Sequence, residues 1–460
     1  MSVYDVAVLG GGPGGCAAAL RAAARGAKTC LIEARLVGGT CLNVGCIPTK
    51  AMLHGAQLAW RSAAAGSMGL AGEGLRVDGP AFMKRTASVV GIVRKGLEGL
   101  LKGRQVDVIA GRGRLTGPGQ LSLTGPDGRT AISAGAVIIA TGSRPARPGF
   151  APWGSPRVMT TDEATTAGDL PGSVLIVGGG VIGCEFATLY AELGVRTHLV
   201  EALPGLLGNI DPDAARIVAR SLRRRKVKVT TSAEIVAMSA DEEGVSAELA
   251  DGTHIGAEVA LVAVGREPNV EDIGLESVGI ELTDGIIPVD EHCRTAVEGV
   301  YAVGDVAERM QYAHLAARMG VVAADNATGH EHSDDRAVVP ECIYTHPEVA
   351  AVGLRKVRLA TAAGKVRTAM FPLQASGMAR ACGQTDGLVK LFGHAETGEV
   401  LGGVVVAPRA TDMIAEIALA ARCGLKVEDL AETIHAHPSF CESVRSAAES
   451  WLGLGVDTLE

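Results

Sequence analysis

Two cysteines stand five positions apart in Gly38-Gly39-Thr40-Cys41-Leu42-Asn43-Val44-Gly45-Cys46-Ile47-Pro48-Thr49-Lys50. Such a pair has two readings. They could be ordinary buried thiols, because free cysteines pack as small hydrophobes. They could instead exchange a disulfide. Pro48 suits the first turn of a helix, a helix N-terminus stabilises thiolate, and Lys50 adds a positive charge nearby. A low-pKa dithiol is what thiol–disulfide exchange requires.

Just upstream, the apolar run Tyr4 to Gly10 leads into Gly10-Gly11-Gly12-Pro13-Gly14-Gly15 and an Ala-rich stretch to Arg25 without a β-branched residue. A second apolar run, Lys28 to Ile32, ends in Glu33. The order is strand, Gly turn, helix, strand, acid. It recurs 168 residues later as Ser173 to Val177, Gly178-Gly179-Gly180-Val181-Ile182-Gly183, a helix to Leu193, a strand Arg196 to Val200 and Glu201. A lone G-x-G-x-x-G is weak evidence, since Gly-rich turns are common. Here Gly10, Gly12 and Gly15, and again Gly178, Gly180 and Gly183, have the tight turn, the close backbone approach to a pyrophosphate and the helix packing that a dinucleotide needs. Glu33 and Glu201 each follow the third glycine by 18 residues, placed to accept ribose hydroxyls. Two dinucleotides imply an electron relay. Glu201 would repel a 2′-phosphate, and Ala202-Leu203-Pro204-Gly205 offers no Arg to receive one, so NADH is expected over NADPH.

Two histidine clusters are candidates for metal or proton chemistry. His435-Ala436-His437-Pro438 has HxH spacing but no further obvious ligands, and Glu442 follows His437 by five residues. By itself a His-Pro followed by a Glu is more often structural than catalytic. His330-Glu331-His332, with Asp334 and Asp335, lies in a polar stretch and is expected to be a solvated loop.

The elements that must position these groups follow from composition and pattern. Of 460 residues 61 are Gly and only 14 are aromatic, so the cores are built from Ala, Val, Leu and Ile. Gly is about twice its usual share of roughly 7%. Length gives a soft prior of three domains. The net charge of −8 argues against nucleic acid or anionic membrane as a partner. The N-terminus enters a strand with no basic leader or cleavage site, and no run approaches the roughly 18 apolar residues of a membrane span, so the expectation is a cytoplasmic protein. Arg223-Arg224-Arg225-Lys226 reads as the solvated end of a helix, and the eight cysteines outside the pair read mostly as buried hydrophobes. Helical spacing is expected over Pro80 to Lys102, a turn at Gly125-Pro126-Asp127-Gly128, strands at Ala136 to Ala140 and Leu261 to Gly265, and a Pro-rich linker at Arg144 to Pro156. A β-rich segment then leads to Val300-Tyr301-Ala302-Val303-Gly304-Asp305. From Val338 the chain alternates strands (Thr368 to Phe371, Gly387 to Phe392, Val400 to Val406) with helices (Ala410 to Cys423, Val427 to Ile434). The fold class is α/β, with two Rossmann-like dinucleotide-binding domains and a C-terminal α+β domain.

The stretch GGTCLNVGCIPTK resembles the redox-active segment of the pyridine nucleotide-disulfide oxidoreductases, and the resemblance runs over nearly the whole chain. It implies an FAD domain (first part, 1–150), an NAD domain (151–270), a central domain completing the FAD site (271–337) and a dimer-interface domain (338–460). It implies FAD contacts at Thr40, at Ala140-Thr141-Gly142 and at Gly304-Asp305, with Asp305 on the ribityl chain and Ala313 at a helix N-terminus facing the flavin pyrimidine. Gly265 falls beside the NAD site, and Glu185 matches the acid that pairs with Lys50 beside flavin and nicotinamide. Cys41 and Cys46 then correspond to the redox disulfide, and His437 with Glu442 to the His/Glu dyad donated by the partner of a homodimer. Tyr344-Thr345-His346-Pro347-Glu348-Val349, Thr385-Asp386-Gly387-Leu388-Val389-Lys390 and His435-Ala436-His437-Pro438 are similar to the branch that oxidises protein-bound dihydrolipoamide. The implied partner is a lipoyl-carrying protein of a 2-oxo acid dehydrogenase or glycine cleavage complex. The alternatives are a glutathione-type or mercuric reductase, or a redox-inactive scaffold. A mercuric reductase would want a C-terminal Cys pair, and the tail Trp451 to Glu460 has none. Val404 to Arg409 (VVVAPR) and Gln311-Tyr312 depart from the family pattern, near regions expected to touch flavin or substrate.

Overall fold

The computed structural model describes residues 2–72, 74–125 and 128–456. Pro126 and Asp127 of the expected turn, and the last four residues of the Cys-free tail, lie outside the described residues.

The N-terminal sheet is built around Ser2–Leu9, flanked in parallel by Thr29–Glu33 and Gly128–Ile139. Asp107–Ala110 extends it on one side, and Gln120–Gly125 and Arg112–Gly117 extend it antiparallel on the other. Val300–Ala302 returns from far down the chain to pair with Gly128–Ile139. The helix Pro13–Ala24 lies against the helix Ala313–Ala327. Their small residues permit the approach: a Cβ on Gly320 would stand 2.2 Å from the Gly14 carbonyl oxygen. The scarcity of aromatics is thus met by close backbone packing rather than by large side chains.

The second nucleotide unit forms its own parallel sheet, in spatial order Lys228–Thr230, Arg196–Val200, Ser173–Val177, Val259–Val262 and Val158–Met159. An antiparallel sheet of Ile235–Ala240, Val245–Leu249 and His254–Ala257 flanks it. The C-terminal block is an antiparallel sheet, Glu341–Ile343, Glu348–Val352, Val400–Ala407, Leu388–His394 and Val366–Pro372, packed with the helices Ala410–Cys423, Val427–Glu432 and Glu442–Leu452.

Several sequence expectations need correction. The stretch Arg144 to Pro156 does not begin as a free linker. Ser143–Pro145 pairs antiparallel with Arg266–Pro268, so the two crossings into and out of the second unit are zipped together. The strand expected to run to Gly265 ends at Val262, because the next three residues form the turn at the cavity rim. Arg225 is not a solvated helix end. Its side chain is 11% exposed, hydrogen-bonded to a fully buried Glu192, and its guanidinium sits 5.3 Å from the Trp60 ring. The His330 to Asp335 stretch is likewise only partly a solvated loop. His332 Nδ1 lies 2.8 Å from Asp325 Oδ2, and buried Asp334 faces Arg318 and Arg336. Val404 to Ala407 is fully buried sheet core and does not reach the central cavity. Of the eight scattered cysteines, Cys16, Cys30, Cys184 and Cys293 are buried, while Cys423 is exposed.

Candidate active site

Each Gly turn is built by steric exclusion. Gly10 and Gly178 take φ of 109° and 105°, in the left-handed range that glycine tolerates. A Cβ on Gly15 would stand 1.8 Å from the Gly10 oxygen, and one on Gly183 1.9 Å from the Gly178 oxygen. Gly12 and Gly180 are different. They face open space with nothing within 4 Å of an added Cβ, at the N-caps of the two nucleotide helices. The acids repeat as well: Glu33 Oε2 accepts from Gly11 N at 2.6 Å and Glu201 Oε2 from Gly179 N at 2.5 Å. Their second oxygens accept from Arg35 N and Leu203 N, both at 2.7 Å.

Both turns open on one continuous cavity of about 2450 Å³. Glu33, Thr40, Cys41, Cys46, Lys50, Thr141, Gly142, Glu185, Glu201, Gly265, Asp305 and Ala313 line it with Gly10, Gly12, Gly178 and Gly180. Gly15 and Gly183 sit beneath the turns they shape. Unfilled space in front of two helix N-termini, with an acid fixed beside each, fits two dinucleotides. The lining residues that follow Glu201 in the chain, Ala202, Leu203 and Gly205, include no cation that could receive a 2′-phosphate.

The cysteine segment docks onto the first turn. Cys41 lies in the short helix Gly39–Asn43 and Cys46 is the first residue of the helix Cys46–Ala63. Gly39 packs so closely that a Cβ would stand 2.7 Å from Gly12 Cα, and the Asn43 amide holds the loop through the Val37 and Gly39 carbonyls. Both cysteines are free thiols. The hydrogen bond from Cys41, helped by the Lys50 charge against opposing burial, brings Cys46 down to about 7. Cys41 moves upward, because donating that bond and burial both hold its proton. The dithiol therefore holds one proton on Cys41 and favours thiolate at Cys46.

Lys50 extends from the same helix. Its Nζ lies 3.0 and 2.8 Å from the two Glu185 oxygens, and 4.3 Å from the Tyr344 ring centroid. Burial would lower the Lys50 pKa, but Glu185 outweighs it and the ammonium is held above its ordinary value. The Tyr344 N–H donates to Glu185 Oε1 at 2.9 Å, bringing the start of the C-terminal block into the site. Asp305 is fixed by Ser143, whose hydroxyl donates to Oδ2 at 2.5 Å and accepts from Arg266 Nε at 2.8 Å. The helix Ala313–Ala327 starts at the cavity wall, preceded by Tyr312, whose ring stacks on His314.

His437 and Glu442 do not line this cavity. They sit on the C-terminal block, with Nδ1 2.8 Å from Glu442 Oε1 and the imidazole 80% exposed. Burial raises the Glu442 pKa, but the Ser439 N–H and His437 outweigh it and hold the carboxyl below its ordinary value. His435 is not poised for metal. It is paired to Glu416, and among the described residues no three His, Cys, Asp or Glu side chains are arranged to hold an ion.

Sequence reasoning missed Tyr344 as a lining residue, the Ser143–Arg266 support beneath Asp305, and Cys342, a third cavity thiol pushed up to about 11 by burial. Tyr344 was visible only as part of a family stretch. Its contacts with Lys50 and Glu185 span distances along the chain that no local period reports.

Two nucleotide turns around one dithiol, joined to a separate α+β block, define a two-nucleotide thiol–disulfide oxidoreductase. Residues 4–320 match the pyridine nucleotide-disulphide oxidoreductases and residues 339–448 match the dimerisation domain of the same group. The chain belongs to the pyridine nucleotide-disulphide oxidoreductase family. It is 38% identical over 459 residues to the dihydrolipoyl dehydrogenase of Chlamydia trachomatis, covering 99% of this chain and 97% of that one. It is 37% identical over 454 residues to the dihydrolipoyl dehydrogenase of Geobacillus stearothermophilus, covering 98% and 96%. Among solved structures, LpdA from Mycobacterium tuberculosis superposes with a TM-score of 0.91 at 32% identity, over 98% of this chain and 99% of that one. The HOCl-induced flavoprotein disulfide reductase RclA from Escherichia coli gives 0.86 at 26% identity, over 97% and 99%. Among the described residues, no helix is long and apolar enough to cross a membrane.

Proposed function

We propose that this chain is a dihydrolipoyl dehydrogenase, an FAD- and NAD-dependent enzyme that oxidises protein-bound dihydrolipoamide to lipoamide. The observation that carries the reading is the Cys41/Cys46 dithiol, with its low-pKa member beside Lys50, in a cavity shared by both Gly turns. Full-length similarity to dihydrolipoyl dehydrogenases supports the choice of substrate. In this reading Gly10, Gly12, Gly15, Glu33, Thr40, Lys50, Thr141, Gly142, Asp305 and Ala313 hold FAD. Gly178, Gly180, Gly183, Glu201 and Gly265 hold NAD. Bound there, FAD would supply a two-electron acceptor for the dithiol and a hydride donor for NAD.

The chain's own residues do the sulfur chemistry. The base comes from a second copy, a reading supported by the exposed His437 on a dimerisation domain and its absence from this chain's cavity. The partner's His437 takes a proton from one lipoyl thiol, while Glu442 orients and balances the imidazolium. The thiolate attacks Cys41 Sγ of the oxidised Cys41–Cys46 pair. A lipoyl–Cys41 bond forms, the Cys41–Cys46 bond breaks, and Cys46 leaves as thiolate. A leaving thiol of lower pKa leaves faster, which favours attack at Cys41 over Cys46. The second lipoyl thiol then closes the lipoamide ring, releasing Cys41, which takes the second proton. Lys50, paired with Glu185, keeps a positive charge beside the Cys46 thiolate.

The partner is a lipoyl-carrying protein of a 2-oxo acid dehydrogenase or glycine cleavage complex, met by a homodimer in the cytoplasm. Comparing turnover of dihydrolipoamide, glutathione disulfide and mercuric ion, each with NAD(H) and NADP(H), tests the reading. Dihydrolipoamide with NAD is expected to be fastest by at least about tenfold.

A further inference from the structure

His435 is a buried titratable side chain with no part in the sulfur chemistry. It lies in the loop between the helices Val427–Glu432 and Glu442–Leu452. The crest of that loop projects outward: Ile434 is 96% exposed and the His437 side chain 80%. From Thr433 to Pro438 only His435 turns inward, its side chain 5% exposed. Both ring nitrogens are engaged: Nε2 lies 2.8 Å from Glu416 Oε1 on the helix Ala410–Cys423, and Nδ1 lies 2.8 Å from the Thr433 carbonyl oxygen. Among the described residues, no backbone–backbone hydrogen bond ties residues 434–438 to the rest of the fold. Downstream, the loop is held again where Glu442 receives the Ser439 N–H at 2.7 Å and His437 Nδ1 at 2.8 Å, and where Phe440 enters the core.

We propose that the His435–Glu416 pair is a positioning pair that sets where His437 stands when it reaches toward the neighbouring subunit. The proposal rests on the reading of His437 as the proton carrier. Glu442 fixes the orientation of the imidazole but lies on the same side of the loop as His437. The other end of the projecting segment hangs on His435, so without it the reach of His437 is loose although the His437–Glu442 bond survives. Displacements of about 1 Å in a proton-transfer group cost up to roughly 100-fold. A surface imidazole whose loop has one inward anchor is exposed to that loss.

The test uses the FAD-loaded dimer with His435→Ala, His435→Gln, Glu416→Gln and His437→Gln. Two rates are compared: NAD-dependent oxidation of dihydrolipoamide, which needs His437, and NADH-dependent reduction of ferricyanide, which does not. His435→Ala is expected to lower the first roughly 10- to 100-fold while the second stays within about twofold. His435→Gln, whose amide can still donate to Glu416, is expected to recover part of the loss. Should His435→Ala not yield a dimer, Glu416→Gln carries the test, with the same split expected in milder form. Unchanged dihydrolipoamide oxidation in these variants, or an equal fall in both rates, overturns the proposal. If His437→Gln itself leaves dihydrolipoamide oxidation intact, the proton-carrier reading falls and the positioning role with it.

Discussion

The Lys50 ammonium and the Glu185 carboxylate, 135 positions apart in the chain, form an ion pair with Nζ 2.8 Å from Oε2. One partner comes from the cysteine helix and the other from the second nucleotide helix. The pair joins the thiol end of the cavity to the end lined by the second Gly turn and sets a fixed positive charge beside Cys46. Breaking it touches the thiol directly. Cys46 ionises near pH 7, so alkylation of the reduced enzyme by iodoacetamide should rise through about pH 7 rather than near 9, the value of an unassisted thiol. Lys50→Met removes a charge that favours thiolate and moves that midpoint up. Cys41→Ala removes the larger influence, the thiol hydrogen bond, and moves it further up.

The two Gly turns can be disabled separately. Gly15→Ala drives a Cβ into the Gly10 carbonyl at 1.8 Å, and Gly183→Ala does the same at Gly178 at 1.9 Å. Gly15→Ala should be purified with little flavin absorbance. Gly183→Ala should keep its flavin but show KM for NAD raised by about tenfold or more.

Glu201 fixes the second Gly turn, and in the proposed reading it also bears on nucleotide choice. Glu201→Ala frees the Gly179 and Leu203 N–H groups and removes the charge that repels a 2′-phosphate. The ratio of kcat/KM for NAD over NADP is expected to fall by roughly tenfold, chiefly through a higher KM for NAD.

Burial decides which ion pairs matter for stability. The Glu192 side chain is fully buried and takes Arg225 at 2.8 Å and His346 at 2.9 Å. Glu192→Ala leaves Arg225 buried without its carboxylate, at a cost of about 3–5 kcal/mol read from urea unfolding of the holoenzyme. The Arg144–Glu271 pair holds the Glu271 carboxyl at about 2, yet its side chains are 45% and 57% exposed. Solvent screens it, and Arg144→Ala should cost no more than about 1 kcal/mol.

The two nucleotide units were readable because their signals are local. Strand period, Gly spacing and a following acid lie within about 25 residues, and Ser173–Val177 and Arg196–Val200 have the bounds the pattern implies. The cysteine segment was legible for the same reason. What stayed hidden depends on contacts between distant stretches. Glu348–Val352 is a strand in a stretch for which the sequence carried no element expectation. The helix Glu442–Leu452 follows His437-Pro438 without an apolar run to announce it. Arg225 lay in a basic run that looked solvated, because its partners Glu192 and Trp60 come from other helices. His332 and Asp334 were misjudged likewise, since Asp325, Arg318 and Arg336 supply their charges. His437 and Glu442 were named from spacing and family resemblance, and their pairing at 2.8 Å is a local contact.

The most direct measurement is NADH formation from dihydrolipoamide by the FAD-loaded dimer, run beside Cys41→Ser and Cys46→Ser. The account predicts steady NAD reduction by the unsubstituted enzyme and a loss of roughly 1,000-fold or more in each serine variant, with flavin retained. No NADH from a fully flavinated dimer, or undiminished turnover with either cysteine replaced, contradicts it.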